Sequence, residues 1–118
     1  ELGKMAGAAA DNVYVSSMWS ADRKDEKVQK FVENYTKAYG RAPDQFAASA
    51  YDGVYMAMDA MQRAGTTTDH KKIRDALAQM KDFKGVCGTF SFDEKRDPVV
   101  DLILMKMQDG KFGVVDVK

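Results

Sequence analysis

Apolar side chains in the stretch FAASAYDGVYMAMDAMQRAG, residues 46–65, cover most of a helical wheel. Phe46, Ala50, Tyr51, Val54, Met58 and Met61 spread around the surface, whereas Gln45, Ser49, Asp52, Asp59 and Arg63 fall on one narrow stripe. The pattern predicts a helix with only a thin polar strip toward water and apolar partners on two sides. Pro43 and Asp44 supply its start signal and Gly65 its stop.

The flanking segments have simpler periods. In DNVYVSS (11–17), Val13 and Val15 alternate with Tyr14 and Ser16, as in a short strand. Val28, Phe31, Val32, Tyr35, Ala38 and Tyr39 recur at three- and four-residue spacing, predicting a helix capped by Ser20 or Asp22 and ended by Gly40. Thr66 or Thr68 is placed to cap a third helix, with Ile73, Ala76, Leu77 and Met80 as its apolar stripe and an end near Asp82. GTFSFDE (88–94) and DLILMKM (101–107) read as strands, and Asp109-Gly110 as a tight hairpin into FGVVDV (112–117). The predicted order is β-α-α-α-β-β-β, an α/β chain without internal repeats or low-complexity linkers.

Composition narrows the function classes. The chain has 118 residues, 45% of them hydrophobic, enough for one ordinary core. Eighteen basic and 18 acidic residues balance, which leaves no electrostatic footprint for nucleic acid or an anionic membrane. The apolar runs are too short to span a bilayer. ELGKMAGAAADN lacks both an initiator Met and the pattern of a signal peptide, so the chain is expected to be processed or cut from something longer. Cys87 is the lone cysteine, so no intrachain disulfide forms and the redox compartment stays open.

Candidate chemistry is sparse. His70, beside Asp69, has no second histidine or cysteine at metal-ligand spacing and reads as a solvent-exposed structural residue. Cys87 has no histidine nearby in sequence and reads as a small buried apolar residue rather than a nucleophile. Asp52 and Asp59, two turns apart, read as part of a solvated stripe rather than an acid–base pair. Met56, Met58 and Met61 read as core filling. Gly85 and Gly88 do not form a phosphate loop. No metal, cofactor or enzymatic activity is expected.

Several motifs in one order carry a resemblance. FVENYTKAYGRAP, then AYD, then GVCGTFSFDEKRDP and DGKF resemble the carboxyl-terminal part of type I periplasmic solute-binding proteins of ABC importers, specifically the branched-chain amino acid-binding branch. Phe31, Tyr35, Tyr39, Gly40, Pro43, Ala50, Tyr51, Asp52, Gly85, Gly88, Phe92 and Asp93 match the family's pattern, and AGAAADNVYV is similar to its strand entry. Three departures stand out: Gly53 where Ala is usual, Asn12 in place of a Gly, and Lys95-Arg96-Asp97 where Asn-Gly-Asp is usual.

The resemblance implies a protein about three times longer, with two α/β lobes joined by a hinge and a ligand captured as the cleft closes. Residues 1–17 would then belong to the second lobe, 18–98 to the hinge crossing and first lobe, and 99–118 to strands returning to the second. It implies a receptor, not an enzyme, in the periplasm or on an extracytoplasmic lipoprotein. Such a receptor delivers a branched-chain amino acid or small carboxylate to the membrane subunits of an ABC importer. Most ligand-holding residues would lie upstream of this segment; Trp19 and Tyr51 are the cleft-proximal candidates. The apolar helix would pack on upstream parts of the fold, and alone it is expected to drive a homodimer or exchanged-segment assembly. The competing class is a self-standing α+β interaction module that docks through that helix.

Overall fold

The computed structural model describes residues 2–115. A short helix α1 (Leu2–Ala6) and a 3-10 turn (Gly7–Ala10) lead into strand β1 (Tyr14–Ser17). Helices α2 (Glu26–Tyr39), α3 (Gln45–Ala64) and α4 (His70–Ala78) follow. The rest is β2 (Phe83–Lys84), β3 (Thr89–Phe92), β4 (Pro98–Val99), β5 (Ile103–Gln108) and β6 (Lys111–Val114). The α/β class is as expected; α1, the 3-10 turn, β2 and β4 are additions to the predicted order. Each is too short to display a period. The predicted last strand is realised as β6, and its positions 116–117 lie outside the described residues.

Local chemistry fixes the helix ends. Asp44 accepts the Ala47 N–H at 2.8 Å, and Gly65 closes α3 at φ 65°. For α2 the cap is Asp25, which accepts from Lys27 and Val28 N–H, and not Ser20 or Asp22; the Ser20 hydroxyl instead accepts the Asp22 N–H. For α4 the cap is Asp69, and not Thr66 or Thr68, because Thr66 Oγ1 is engaged one step earlier by the N–H groups of Thr68 and Asp69. That helix stops at Ala78, so Met80 enters the core from the following loop, 1% exposed.

Two antiparallel three-stranded sheets result, in the orders β1-β5-β6 and β2-β3-β4. In the first, Met105 and Met107 point inward from β5, and Lys106 lies over the ring of its cross-strand partner Tyr14. Asp109 and Gly110, φ 49° and 75°, form the expected hairpin turn between β5 and β6. The departures from the family's pattern have visible consequences. Asn12 takes φ 66°, the left-handed conformation that Asn tolerates best after Gly, and still donates its N–H to Met107 O at 3.0 Å. Arg96 sits at φ 70° in a tight turn, held because Asp93 Oδ1 accepts the N–H groups of Lys95 and Asp97 at 2.8 Å.

The main core joins Trp19, Val28, Phe31, Ala48, Met56, Val86 and Phe90, from the β1–α2 link, two helices and the β2–β3 region. The polar stripe of α3 does not face water as expected. Asp52, at its centre, is 2% exposed, while Phe46, Val54 and Met58 are 80%, 59% and 57% exposed. Only the outer members keep to the surface, where Asp59 and Arg63 form an ion pair at 2.8 Å. The helix is turned over because Asp52 has its partners on the inner side, while the ridge of Phe46, Val54 and Met58 stays exposed among the described residues. The overall shape agrees. The radius of gyration is 16.8 Å, against about 13.5 Å for a compact domain of this length.

Candidate functional site

The inward turn of α3 builds a clasp between Asp52 and the loop joining β2 to β3. Val86 N–H donates to Asp52 Oδ1 at 2.7 Å and Cys87 N–H donates to Oδ2 at 2.8 Å. A carboxylate that receives two backbone N–H groups satisfies donors and acceptor in one contact, each bond strengthened by the charge. Gly85 makes the approach possible, since a Cβ there would overlap the Asp52 carboxylate. Gly88 closes the loop by accepting the Gly85 N–H at 2.8 Å, with φ 135°, a conformation reserved for Gly. Asp52, Gly85 and Gly88 are therefore one structural device, and the expectation that Asp52 belongs to a solvated stripe is corrected. An acid at the centre of an otherwise apolar stretch of α3, with G-x-x-G downstream, is the signal in the sequence.

Cys87 is 1% exposed beside this carboxylate. Burial, and next the Asp52 charge, push its thiol up to about 12, so it stays protonated and inert as anticipated from its neighbours in sequence. In native protein at pH 8, iodoacetamide is expected to leave Cys87 unlabelled, and unfolding urea to release it; rapid native labelling, read by intact mass, would contradict this. The linkage has a definite sign. The unfolded thiol loses its proton from pH 9 while the folded one keeps it, so stability falls as pH rises from about 9 to about 12.

Trp19 and Tyr51 both pack against the ring of Phe31. Phe31 meets Trp19 edge-on at 5.6 Å and Tyr51 at 4.6 Å. Trp19 is 5% exposed, and its backbone is pinned by the Ser17 hydroxyl, which accepts the Trp19 N–H and donates to its carbonyl. Gln45 Oε1 lies 3.0 Å from the same hydroxyl and ties the start of α3 to the end of β1. Tyr51 is half-buried, and its phenol is held well above its usual range, first by hydrogen bonding with Tyr55 and then by burial. It lines an open groove of 420 Å³ between α2 and α3, with Tyr35, Tyr39 and Val54. The groove offers aromatic faces and no charge, so it suits an apolar body. His70 is exposed at the first position of α4. Among the described residues no group of three or more His, Cys, Asp or Glu side chains is placed to hold a metal ion.

The chain leaves one sheet, builds a helical layer with a second sheet, and returns to pair β5 with β1. The sequence matches the periplasmic binding protein family over residues 1–111, and the chain belongs to that family. It is 28% identical over 119 aligned residues to Leu/Ile/Val-binding protein homolog 1 of Brucella abortus, covering 98% of this chain and 31% of that protein. Among solved structures it is similar to the branched-chain amino acid transporter substrate-binding protein LivJ of Streptococcus pneumoniae in complex with isoleucine. There the TM-score is 0.80 and the identity 34%, over 96% of this chain and 33% of that one. A solute-binding protein of an ABC transporter from Rhodopseudomonas palustris, in complex with 3,4-dihydroxybenzoic acid, gives a TM-score of 0.77 at 29% identity. That match covers 90% of this chain and 30% of the other. The chain thus spans about a third of the length of the curated relatives and solved structures it matches.

Proposed function

We propose that this chain is the carboxyl-terminal part of an extracytoplasmic receptor that carries a branched-chain amino acid or related small carboxylate to the membrane subunits of an ABC importer. The observation that carries the reading is the match along nearly the whole chain to substrate-binding proteins, at 34% identity to the isoleucine-bound one. The two ligands named for these neighbours share a carboxylate and an apolar body. The periplasm, or the outer face of the membrane, is the compartment where such a receptor would work. The self-standing module is the weaker reading, because a radius of gyration of 16.8 Å and the uncovered ridge of α3 ill suit a self-sufficient domain.

The strand order supports a division into lobes. Residues 1–17 and 99–118 would serve one lobe through the β1-β5-β6 sheet, and residues 18–98 would make the hinge crossing and serve the other. In this arrangement Tyr51, with its ring partly open to the groove, is the side chain of this segment nearest to ligand duty. Trp19 would act by anchoring the crossing that follows β1.

Thermal unfolding tests the proposal, since a ligand that prefers the folded state raises the melting temperature. A panel of branched-chain amino acids and aromatic carboxylates is expected to stabilise the product of the full reading frame and to leave the 118-residue chain unmoved. No shift in the full product with any of them would overturn the receptor reading. A shift in the short chain would place the ligand contacts within it, and Tyr51→Phe would then report whether the phenol is one of them.

A further inference from the structure

Building on the receptor reading, we infer that the bond between Gln45 and Ser17 latches a hinge, which makes Gln45 a positioning residue for ligand capture.

Two bodies can be told apart within the chain. Strands β1, β5 and β6 hold together on one side, α3, α4 and β2 to β4 on the other, and the extensive contacts between elements all fall within one group or the other. The chain crosses between them twice. Ser17 ends β1, and from Met18 and Trp19 onward the first crossing is already packed into the helical body, where Trp19 meets Phe31. On the return, Val100 still packs on that core, exposed Asp101 and Leu102 follow, and Ile103 pairs with Ser17. Both crossings are short and lie side by side, so a few backbone angles there set how the bodies stand to each other.

Among the described residues, one side-chain hydrogen bond spans this joint and no ion pair does. Gln45, the first residue of α3, reaches to 3.0 Å from the Ser17 hydroxyl. That hydroxyl is buried, accepts the Trp19 N–H at 3.1 Å and gives its one proton to the Trp19 carbonyl at 2.9 Å. The Gln45 amide therefore serves it with its N–H₂ side, as a donor to Oγ. Gln45 is itself exposed, so water competes for the bond and the latch opens at small cost. A contact of that strength tunes a joint and does not freeze it. The latched arrangement, both bodies included, superimposes on the isoleucine-bound relative with a TM-score of 0.80 over 96% of this chain. Holding the joint near that angle before a ligand arrives lowers the ordering cost of capture.

The test is isothermal titration calorimetry on the product of the full reading frame, with isoleucine, leucine, valine and 3,4-dihydroxybenzoic acid as titrants. Gln45→Ala is expected to weaken the tightest of these by about 3- to 10-fold, the worth of one neutral hydrogen bond. The melting temperature of the unliganded protein should stay within about 2 °C of the parent. Ser17→Ala should also weaken binding, and adding Gln45→Ala to it should cost little more, because both changes remove the same bond. Undiminished affinity in Gln45→Ala, or losses that add in full in the double variant, overturns the latch and leaves the receptor reading standing. Weaker binding that comes with a melting temperature lowered by more than about 5 °C assigns Gln45 to stability and overturns it too. A parent protein that binds none of the titrants overturns the receptor reading and the latch together.

Discussion

Asp52→Ala is expected to lower the unfolding free energy by about 4 kcal/mol, because it strands two buried N–H groups that each cost about 1–3 kcal/mol unpaired. Those groups belong to Val86 and Cys87, and the carboxylate that serves them is 2% exposed. Asp52→Asn keeps one acceptor and turns an amide N–H₂ toward the other donor, so about half the loss is expected. Against a total of 5–15 kcal/mol for an ordinary domain, the alanine variant would sit close to unfolding. Urea titration followed by circular dichroism measures it, and a loss under about 1 kcal/mol would show that the clasp is not a main support. Gly85→Ala attacks the same contact from the loop side. Combined with Asp52→Ala it should add much less than it costs alone.

The second large effect is expected from Phe31→Ala, at about 4 kcal/mol, the usual range for emptying an aromatic site in a core. The ring is 6% exposed and touches Trp19, Tyr35 and Tyr51. Its loss removes the surface on which the two cleft-proximal candidates rest. Trp19, the single tryptophan, provides the readout. Its emission should move to longer wavelength as water reaches the indole, and the urea midpoint should fall. An unshifted spectrum with an unchanged midpoint would mean that Trp19 is held by Ser17 and the β1–α2 link alone.

The sequence made the elements legible where local chemistry decides them. Asp44 and Gly65 mark α3 because a cap and a left-handed stop are properties of a few consecutive residues, and Asp109-Gly110 marks its hairpin for the same reason. The facing of α3 was not legible. A wheel reports which residues are alike, and assigning the polar side to water assumes that the chain carries its own cover. Here the apolar ridge is bare, and Asp52 turns inward to donors found 34 and 35 residues later. Ser20, Asp22 and Asp25 are all competent caps for α2 in isolation, as are Thr66, Thr68 and Asp69 for α4. Only the bonds formed select among them. For the site, the motif residues were legible as a set, and their physical work was not: Asp52 with Gly85 and Gly88 holds the fold together.

The pairing of β1 with β5 sets an order of events in folding. Tyr14 and Lys106 are neighbours in the sheet but lie about ninety residues apart along the chain, and closing a loop of that length costs about 4 kcal/mol in chain entropy before any contact repays it. The β5–β6 hairpin, closed by two residues, meets almost no such barrier. The hairpin is therefore expected to form before β1 docks against it. Amide hydrogen exchange would find its slow protons in β5 and its faster ones in β1, although both belong to one sheet.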